Sequence, residues 1–589
     1  MFFLSVLRYT LLAIIPPCSI LTTYLYLYPV FHLCAFPSPE HNPRSEYINT
    51  LRHHAPYSSQ NGSKVAPFRL LALGDPQLEG DSSIEYVDAA SFPHLTKFWK
   101  DVVLRNGTKN NPLQLLRQSL HDLVDFYLDD VPKALEVWRK RLDHVGNDYY
   151  LGHIYRTMHW WTAPTHVTVL GDLVGSQWID DDEFEARGWR YWNRVFKGGV
   201  KVSDEIASQP SEEFNNTLVL GEDAPAWKKR IINVAGNHDV GYAGDLSPER
   251  VTRFEKVFGK ANYELRFQLP LESANIIVEG GITRPIPELR IVVFNDMNLD
   301  TPVGSQEMQD ETYGFLNRVI TTSHDVTREA LFTLLLTHIP MYKEAGICVD
   351  GPFFDFFKGN FGNGVKEQNH LSMDASKGFL EGIYGKNGNP DVPGGGFGRN
   401  GVILTGHDHE GCNVYHYVNH SDPMRQWEAT TWPKAIDADI VDQPGMPGLR
   451  EITVQSMMGG FAGNAGLMSL WFDESIWEWQ FEFTNCGLGT QHIWWLVHIL
   501  DLIALGIGLV YGCIVLYQHV TRPEIHAKSG MMGNGNAKKP QERKTIQNGD
   551  AFQNKPILDT ATNPGVHVTG NRSLRTELSM MSLDSGSRL

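Results

Sequence analysis

Asp75, Gln77, Asp172, Asn237, His238, Asp239, His338, His407 and His409 each stand where a short apolar run stops. The set contains carboxylates, side-chain amides and imidazoles, with no thiolate. That mixture suits hard-to-borderline divalent cations such as Mn²⁺, Fe²⁺ or Zn²⁺. There are enough donors for two ions sharing one carboxylate. Such a pair, about 3.5–4 Å apart, activates water and neutralises a phosphoryl group under attack. Taken singly, Asp75 and Asp172 read as turn formers, Asn237 and Asp239 as helix caps, and His338 as a satisfied core histidine. Dismissing the site requires all of those readings to hold together.

The runs that carry these residues are FRLLALGDPQ, HVTVLGDLVG, RIINVAGNHDVG, LRIVVFND, LFTLLLTHIP and NGVILTGHDHEG. Each reads as a buried strand that delivers polar groups at its C-terminal end. Six in series imply a layered sheet whose strand ends converge on one place. Asn295, Asp296 and Asn298 close a strand of the same series, with a turn role favoured over substrate contact. Between the strands, 112–142 is an amphipathic helix whose Leu116, Leu120, Leu123 and Leu128 form an apolar stripe expected to pack in the core. The Gly-rich stretch 387–401 lacks the spacing of a phosphate-cradling loop.

Five blocks then resemble the calcineurin-like metallophosphoesterases, in the family's order: GDPQ (Gly74–Gln77), GDLVG (Gly171–Gly175), GNHD (Gly236–Asp239), Thr337–His338 and GHDH (Gly406–His409). The first block is usually Asp-x-His, and Gln77 departs from it. With GHDHEGC and two apolar segments, the chain resembles the membrane-bound branch, fungal in type, that trims ethanolamine phosphate from glycosylphosphatidylinositol (GPI) anchors. The animal counterpart is the post-GPI-attachment phosphoesterase. The resemblance implies an α/β fold, a four-layer α-β-β-α sandwich flanked by two transmembrane helices. It implies that Asp75, Gln77 and His409 hold one ion, that Asn237, His338 and His407 hold the other, and that Asp172 bridges them. His238 would give a proton to the leaving alkoxide, or stabilise the phosphoryl oxygens, and Asp239 would orient it. The amide of Gln77 is less suited to zinc than imidazole, so manganese is the expected ion. The implied substrate is a GPI lipid or GPI-anchored protein, and cargo-sorting machinery is an expected partner. Alternatives are another luminal metallophosphoesterase (a lipid or nucleotide pyrophosphatase, or a protein phosphatase), a non-catalytic manganese-homeostasis protein, or an adaptor for export of anchored cargo.

The chain has 589 residues and a formal net charge of -17. That acidity argues against a nucleic-acid partner, and 42% hydrophobic content excludes a wholly disordered chain. Residues 10–36 and 493–517 are each long and apolar enough to cross a bilayer. Pro16–Pro17 are expected to kink the first or displace its start, and a retained anchor is favoured over a cleaved signal peptide. Asp501 and His498 are costly in lipid, so Asp501 is expected to face the other helix or to sit near an interface. Arg8 and the lysines after 517 place both ends in the cytosol. The expected order is a cytosolic N-terminus 1–9, a luminal linker 37–65, a luminal catalytic domain 66–485 and a disordered cytosolic tail 518–589, in the endoplasmic reticulum or Golgi membrane. Sequons at Asn61, Asn106, Asn215 and Asn419 fit that placement, and Asn571 falls in the tail. Cys18, Cys34 and Cys513 are assigned to the spans. Cys348 and Cys412 are expected to pair in the oxidising lumen, leaving Cys486 free.

Overall fold

Apolar runs with no polar alternation can bury both faces only in a sheet covered on each side, and all six runs become such strands. The structure, a computed structural model, describes residues 2–54, 65–100, 112–208, 218–221, 224–274, 284–358, 364–441 and 443–521. Asn61, Asn106, Asn215, Asn571 and nearly all of the expected tail 518–589 lie outside the described residues.

One sheet has the order β16 (Glu478–Gly487), β15 (Asn464–Asp473), β1 (Phe68–Leu73), β2 (His166–Val169), β5 (Arg230–Asn233), β3 (Val200–Lys201). The second has the order β13 (Trp427–Thr431), β12 (Cys412–Val418), β14 (Gly448–Thr453), β11 (Gly401–Thr405), β8 (Leu331–Leu336), β7 (Glu288–Val293), β6 (Tyr263–Gln268), β4 (Leu218–Val219). A short ladder joins β9 (Phe354–Phe356) and β10 (Val365–Gln368). Strands β1, β2 and β5 run parallel, as do β7, β8 and β11. Parallel strands deliver their C-terminal ends to the same edge of a sheet, which is why the polar blocks can meet.

Alternation along each strand divides the core. Phe68, Leu70 and Ala72 of β1 share an inter-sheet cluster with Leu334, Leu404 and Ile452 of the other sheet. Leu71 and Leu73 turn the other way, into a cluster with helical residues. The principal helices are α1 (Phe2–Tyr26), α2 (Pro43–His54), α3 (Pro112–Asp125), α4 (Val131–Thr162), α5 (Asp181–Arg190), α6 (Pro248–Phe258), α7 (Gln306–Thr321) and α8 (Gln491–Thr521). Leu151, Ile154 and Met158 of α4 cover the first sheet, and Phe315 of α7 packs on Phe294 at the end of β7. The result is the expected helix–sheet–sheet–helix stack.

Helices α1 and α8 are long and apolar enough to cross a membrane and are almost unburied within the chain. Asp501 faces α1, where the Thr22 hydroxyl donates to its carboxylate at 2.7 Å. The Tyr26 hydroxyl lies 3.0 Å from His498 Nε2. The first helix corrects the expected boundaries. It begins at Phe2, continues through Pro16 and Pro17, and ends at Tyr26 rather than near residue 36. A separate short turn with Pro29 follows it. Residues beyond that turn climb onto the folded domain, so Cys34 is not in the span and Cys486 is not free: the two are bonded. Cys348–Cys412 is bonded as expected. The stretch 37–65 contains α2, whose His54 ring stacks on Trp161 with centroids 5.2 Å apart.

The stripe of 112–142 also departs from expectation. A five-residue π turn, Phe126–Asp130, joins α3 to α4. Leu116, Leu120, Leu123 and Leu128 are exposed, Leu128 by 75%. Where α3 and the π turn meet the protein, polar pairs do the joining: Lys97 pairs with buried Asp122, and His94 with buried Asp130. Helical periodicity says that one face avoids water, not which surface covers it.

Candidate metal centre

Three of the five polar blocks leave their strands through a backbone turn that a regular strand forbids. Asp75, Gln77, Asp172 and His407 all have positive φ (41–72°), a strained conformation for residues with a Cβ. The glycines permit close approach. A Cβ at Gly171, where φ is +91°, would meet His338 Nδ1 at 2.1 Å, and one at Gly236 would meet the Asp172 nitrogen at 2.2 Å.

Asp172 is at the centre and buried. Its Oδ1 accepts the His238 N–H (2.9 Å) and its Oδ2 accepts the Gln77 amide (3.1 Å). Around it the donors form two groups whose ligand atoms lie within 4.8 Å of one another: Asp172, His338 and His407, and Asp75, Asp172 and His409. Asp172 belongs to both. Asn237 Oδ1 lies 3.0 Å from His338 Nε2, on the first side. The Gln77 amide lies 3.1 Å from His409 Nε2, on the second. The structure thus brings together all seven residues expected to act as ligands.

Backbone carbonyls orient the imidazoles. A carbonyl only accepts, so His338 Nδ1 carries the proton it gives to the Leu170 carbonyl (2.7 Å). Burial lowers the pKa of this ring, so Nε2 keeps its lone pair. That lone pair, Asn237 Oδ1 and Asp172 Oδ1 (3.4 Å away) converge as acceptors. His407 gives its Nε2 proton to the Gln368 carbonyl (2.8 Å), leaving Nδ1 unprotonated, and burial pushes its pKa down to about 3.

The carboxylates are matched to positive charge. Asp75 accepts the His407 N–H at Oδ1 (3.1 Å), while its buried Oδ2 has no partner. Burial, and then the neighbouring Asp172, raise its pKa well above the usual range. Burial also pushes Asp172 upward, but His238, His338 and His407 hold it at about 2. Converging lone pairs, an orphaned buried carboxylate oxygen and imidazoles held neutral fit a divalent cation in type and placement.

His238 lies at the rim, its side chain 36% exposed and Nε2 3.8 Å from Asp172 Oδ2. Asp239 does not orient its ring. The Asp239 oxygens accept the Gly236 and Val174 N–H groups (2.9 and 3.0 Å), and His238 Nδ1 has no hydrogen-bond partner. Asp239 therefore pins the GNHD loop against the GDLVG loop. Asn295, Asp296 and Asn298 are buried turn residues. Asp296 accepts the Ile339 N–H (3.0 Å), and burial raises its pKa to about 7.

Sequence reasoning missed several supports. Glu451, paired with buried Lys343 (3.1 Å) and His416 (2.7 Å), accepts the Met341 N–H behind His338. The Ser456 hydroxyl donates to the Asp75 carbonyl. The Leu170 and Gln368 carbonyls carry no side-chain signature. Glu451 had one, as the one carboxylate in a strand buried along nearly its whole length.

No family model matches the chain. Among curated proteins it is 35% identical over 420 residues to Protein TED1 of Saccharomyces cerevisiae, an alignment covering 64% of this chain and 80% of that protein. An uncharacterized protein of Schizosaccharomyces pombe is 27% identical over 378 residues, covering 61% of this chain and 78% of the relative. Metallophosphoesterase 1 of Mus musculus is 22% identical over 325 residues, covering 54% of this chain and 66% of the mouse protein. With the block order, the sandwich and the Asp172-centred donor cluster, these likenesses make the chain a phosphoesterase of the metallophosphoesterase family that includes Protein TED1 and Metallophosphoesterase 1.

Proposed function

We propose that the chain is a dinuclear metal phosphodiesterase of the secretory-pathway membrane that removes ethanolamine phosphate from a mannose of the GPI-anchor glycan. The observation that carries this reading is the sharing of Asp172 between two donor groups. Asp75, Gln77 and His409 would hold one divalent ion, and Asn237, His338 and His407 the other. Turning the Gln77 amide end over end presents its carbonyl oxygen, and that neutral donor favours manganese over zinc. When bound, two such ions neutralise phosphoryl charge and lower the pKa of water enough for attack at neutral pH.

The chain's own residues do the rest. The Leu170 and Gln368 carbonyls fix the His338 and His407 tautomers, so each ring would offer a lone pair to an ion. His238, partly exposed with Nε2 3.8 Å from Asp172 Oδ2, would give a proton to the departing sugar oxygen. The products are phosphoethanolamine and a free mannose hydroxyl. Anchorage through α1 and α8 keeps enzyme and lipid-anchored substrate in one layer, which raises their effective concentration. The basic residues flanking the two helices support a luminal active site, and recognition of anchored cargo at export follows from that placement.

Mass analysis of anchor glycans from cells carrying Asp172→Asn tests this. Retention of one additional ethanolamine phosphate is the expected result. An unchanged count removes the substrate assignment.

A further inference from the structure

Helix α4 has two unlike faces. Val137, His144, Asp148 and Leu151 are buried against the domain. On the opposite side Leu135, Trp138, Leu142, Val145 and Tyr149 recur every three to four residues and are all exposed, Leu142 by 60%. A straight helix turns about 100° per residue, so these five form one stripe. Leu116 and Leu120 of α3 and Tyr127 of the π turn add to the exposed apolar surface. A contiguous apolar surface of this kind marks a contact with something other than water.

The ends of the apolar helices say what that is. The Trp495 ring of α8 occupies the space over Gly146, where a Cβ would meet it at 1.7 Å. Gln491 Nε2 reaches Asn147 (3.4 Å), and the Tyr26 ring lies 4.7 Å from that of His153. Val145 and Tyr149 therefore adjoin the first turns of α8 and the last of α1. Whatever surrounds those turns also abuts the stripe.

We propose that the apolar stripe of α3 and α4 rests in the headgroup and upper acyl region of the bilayer, as an interfacial platform. The proposal rests on the reading that α1 and α8 span a membrane. Trp138 and Tyr149 have the amphipathic rings that favour that depth, and a helix with one apolar face lies along such an interface. The platform is tied to the metal centre. His144 pairs with Glu79 (3.1 Å) and Arg141 with Asp81 (2.6 Å), on the loop that follows Gln77. Seating α4 on lipid therefore sets the height and tilt at which the site meets a substrate that stands on the same leaflet.

The test uses the full chain in phosphatidylcholine nanodiscs, with Cys18 and Cys513 replaced by alanine and one nitroxide per variant. Labels go at Leu142→Cys and Val145→Cys, with Lys140→Cys as the aqueous control about 200° round the helix from Leu142, and Leu505→Cys on α8 as the membrane control. Collision rates with oxygen and with a water-soluble nickel complex are compared. Labels at 142 and 145 are expected to favour oxygen, as at 505, and the label at 140 to favour nickel. If 142 and 145 behave like 140 while 505 stays in lipid, the platform is wrong and the membrane reading stands. If 505 meets nickel, both fail. Shielding of 142 and 145 from both reagents identifies a protein–protein contact and overturns the lipid assignment. As a second readout, a Leu135→Glu, Trp138→Glu, Leu142→Glu triple variant should keep its turnover of a water-soluble phosphodiester and lose about ten-fold on a lipid-anchored one. Equal turnover of both overturns the coupling to the site.

Discussion

The metal centre and the α3–α4 arm invert the usual distribution of polarity in opposite ways. At the strand ends Asp75, Asp172, Asn237 and His338 are polar and buried. On the arm Leu128, Leu135 and Leu142 are apolar and exposed. A buried carboxylate is costly without a compensating charge, and an exposed apolar surface is costly without a cover. Each region is complete only with something the chain does not supply, cations in one and an apolar phase in the other.

Substitutions of the same size should therefore act differently in the two regions. The largest effect is expected at the shared carboxylate. Asp172→Asn should lower turnover of a soluble phosphodiester by at least about 10³-fold and release both metals, read by elemental analysis of the purified protein. Retention of full metal content and activity would break the comparison at its root. His238→Ala should cost about 10²–10³-fold in kcat while leaving metal content intact, as fits a proton donor rather than a ligand. Loss of metal with activity would make His238 a ligand, unchanged turnover would remove it from catalysis, and unchanged cellular function would favour a manganese-sensing role.

Smaller effects sharpen the contrast through stability. Leu335→Ala, in a strand buried on both faces, should destabilise the detergent-solubilised domain by about 2–5 kcal/mol in denaturant titration. Leu142→Ala should change it by less than about 0.5 kcal/mol, because little of Leu142 leaves water when the chain folds. Between these, Cys348→Ser should cost up to about 4 kcal/mol by freeing a loop whose ends are 64 residues apart. Equal losses at Leu335 and Leu142 would mean that the arm packs against protein.

The same contrast explains what was legible in the sequence. Strand ends were, because a run such as HVTVL followed by GDLVG changes polarity at one residue, and a parallel strand can place that change only at a sheet edge. Gly171 and Gly236 carried the remaining information, since only a residue without a Cβ admits His338 and the Asp172 backbone so closely. The role of Asp239 was not legible. Its partners are the backbone N–H of Gly236 in its own loop and that of Val174, 65 residues away, and backbone donors have no sequence identity. Cys34–Cys486 was hidden because the apolar run continues past Tyr26, and composition does not mark where a helix stops and the chain rejoins a folded domain. The leucines of 112–142 were misassigned to the core for a related reason: lipid and protein interior select the same side chains.

The central claim is that one carboxylate is shared between two cations, and anomalous diffraction from manganese-loaded crystals of the full chain tests it most directly. Two peaks about 3.5–4 Å apart are expected on either side of Asp172, one beside Asp75 and His409 and the other beside His338 and His407. A single peak, or peaks away from Asp172, would contradict the account.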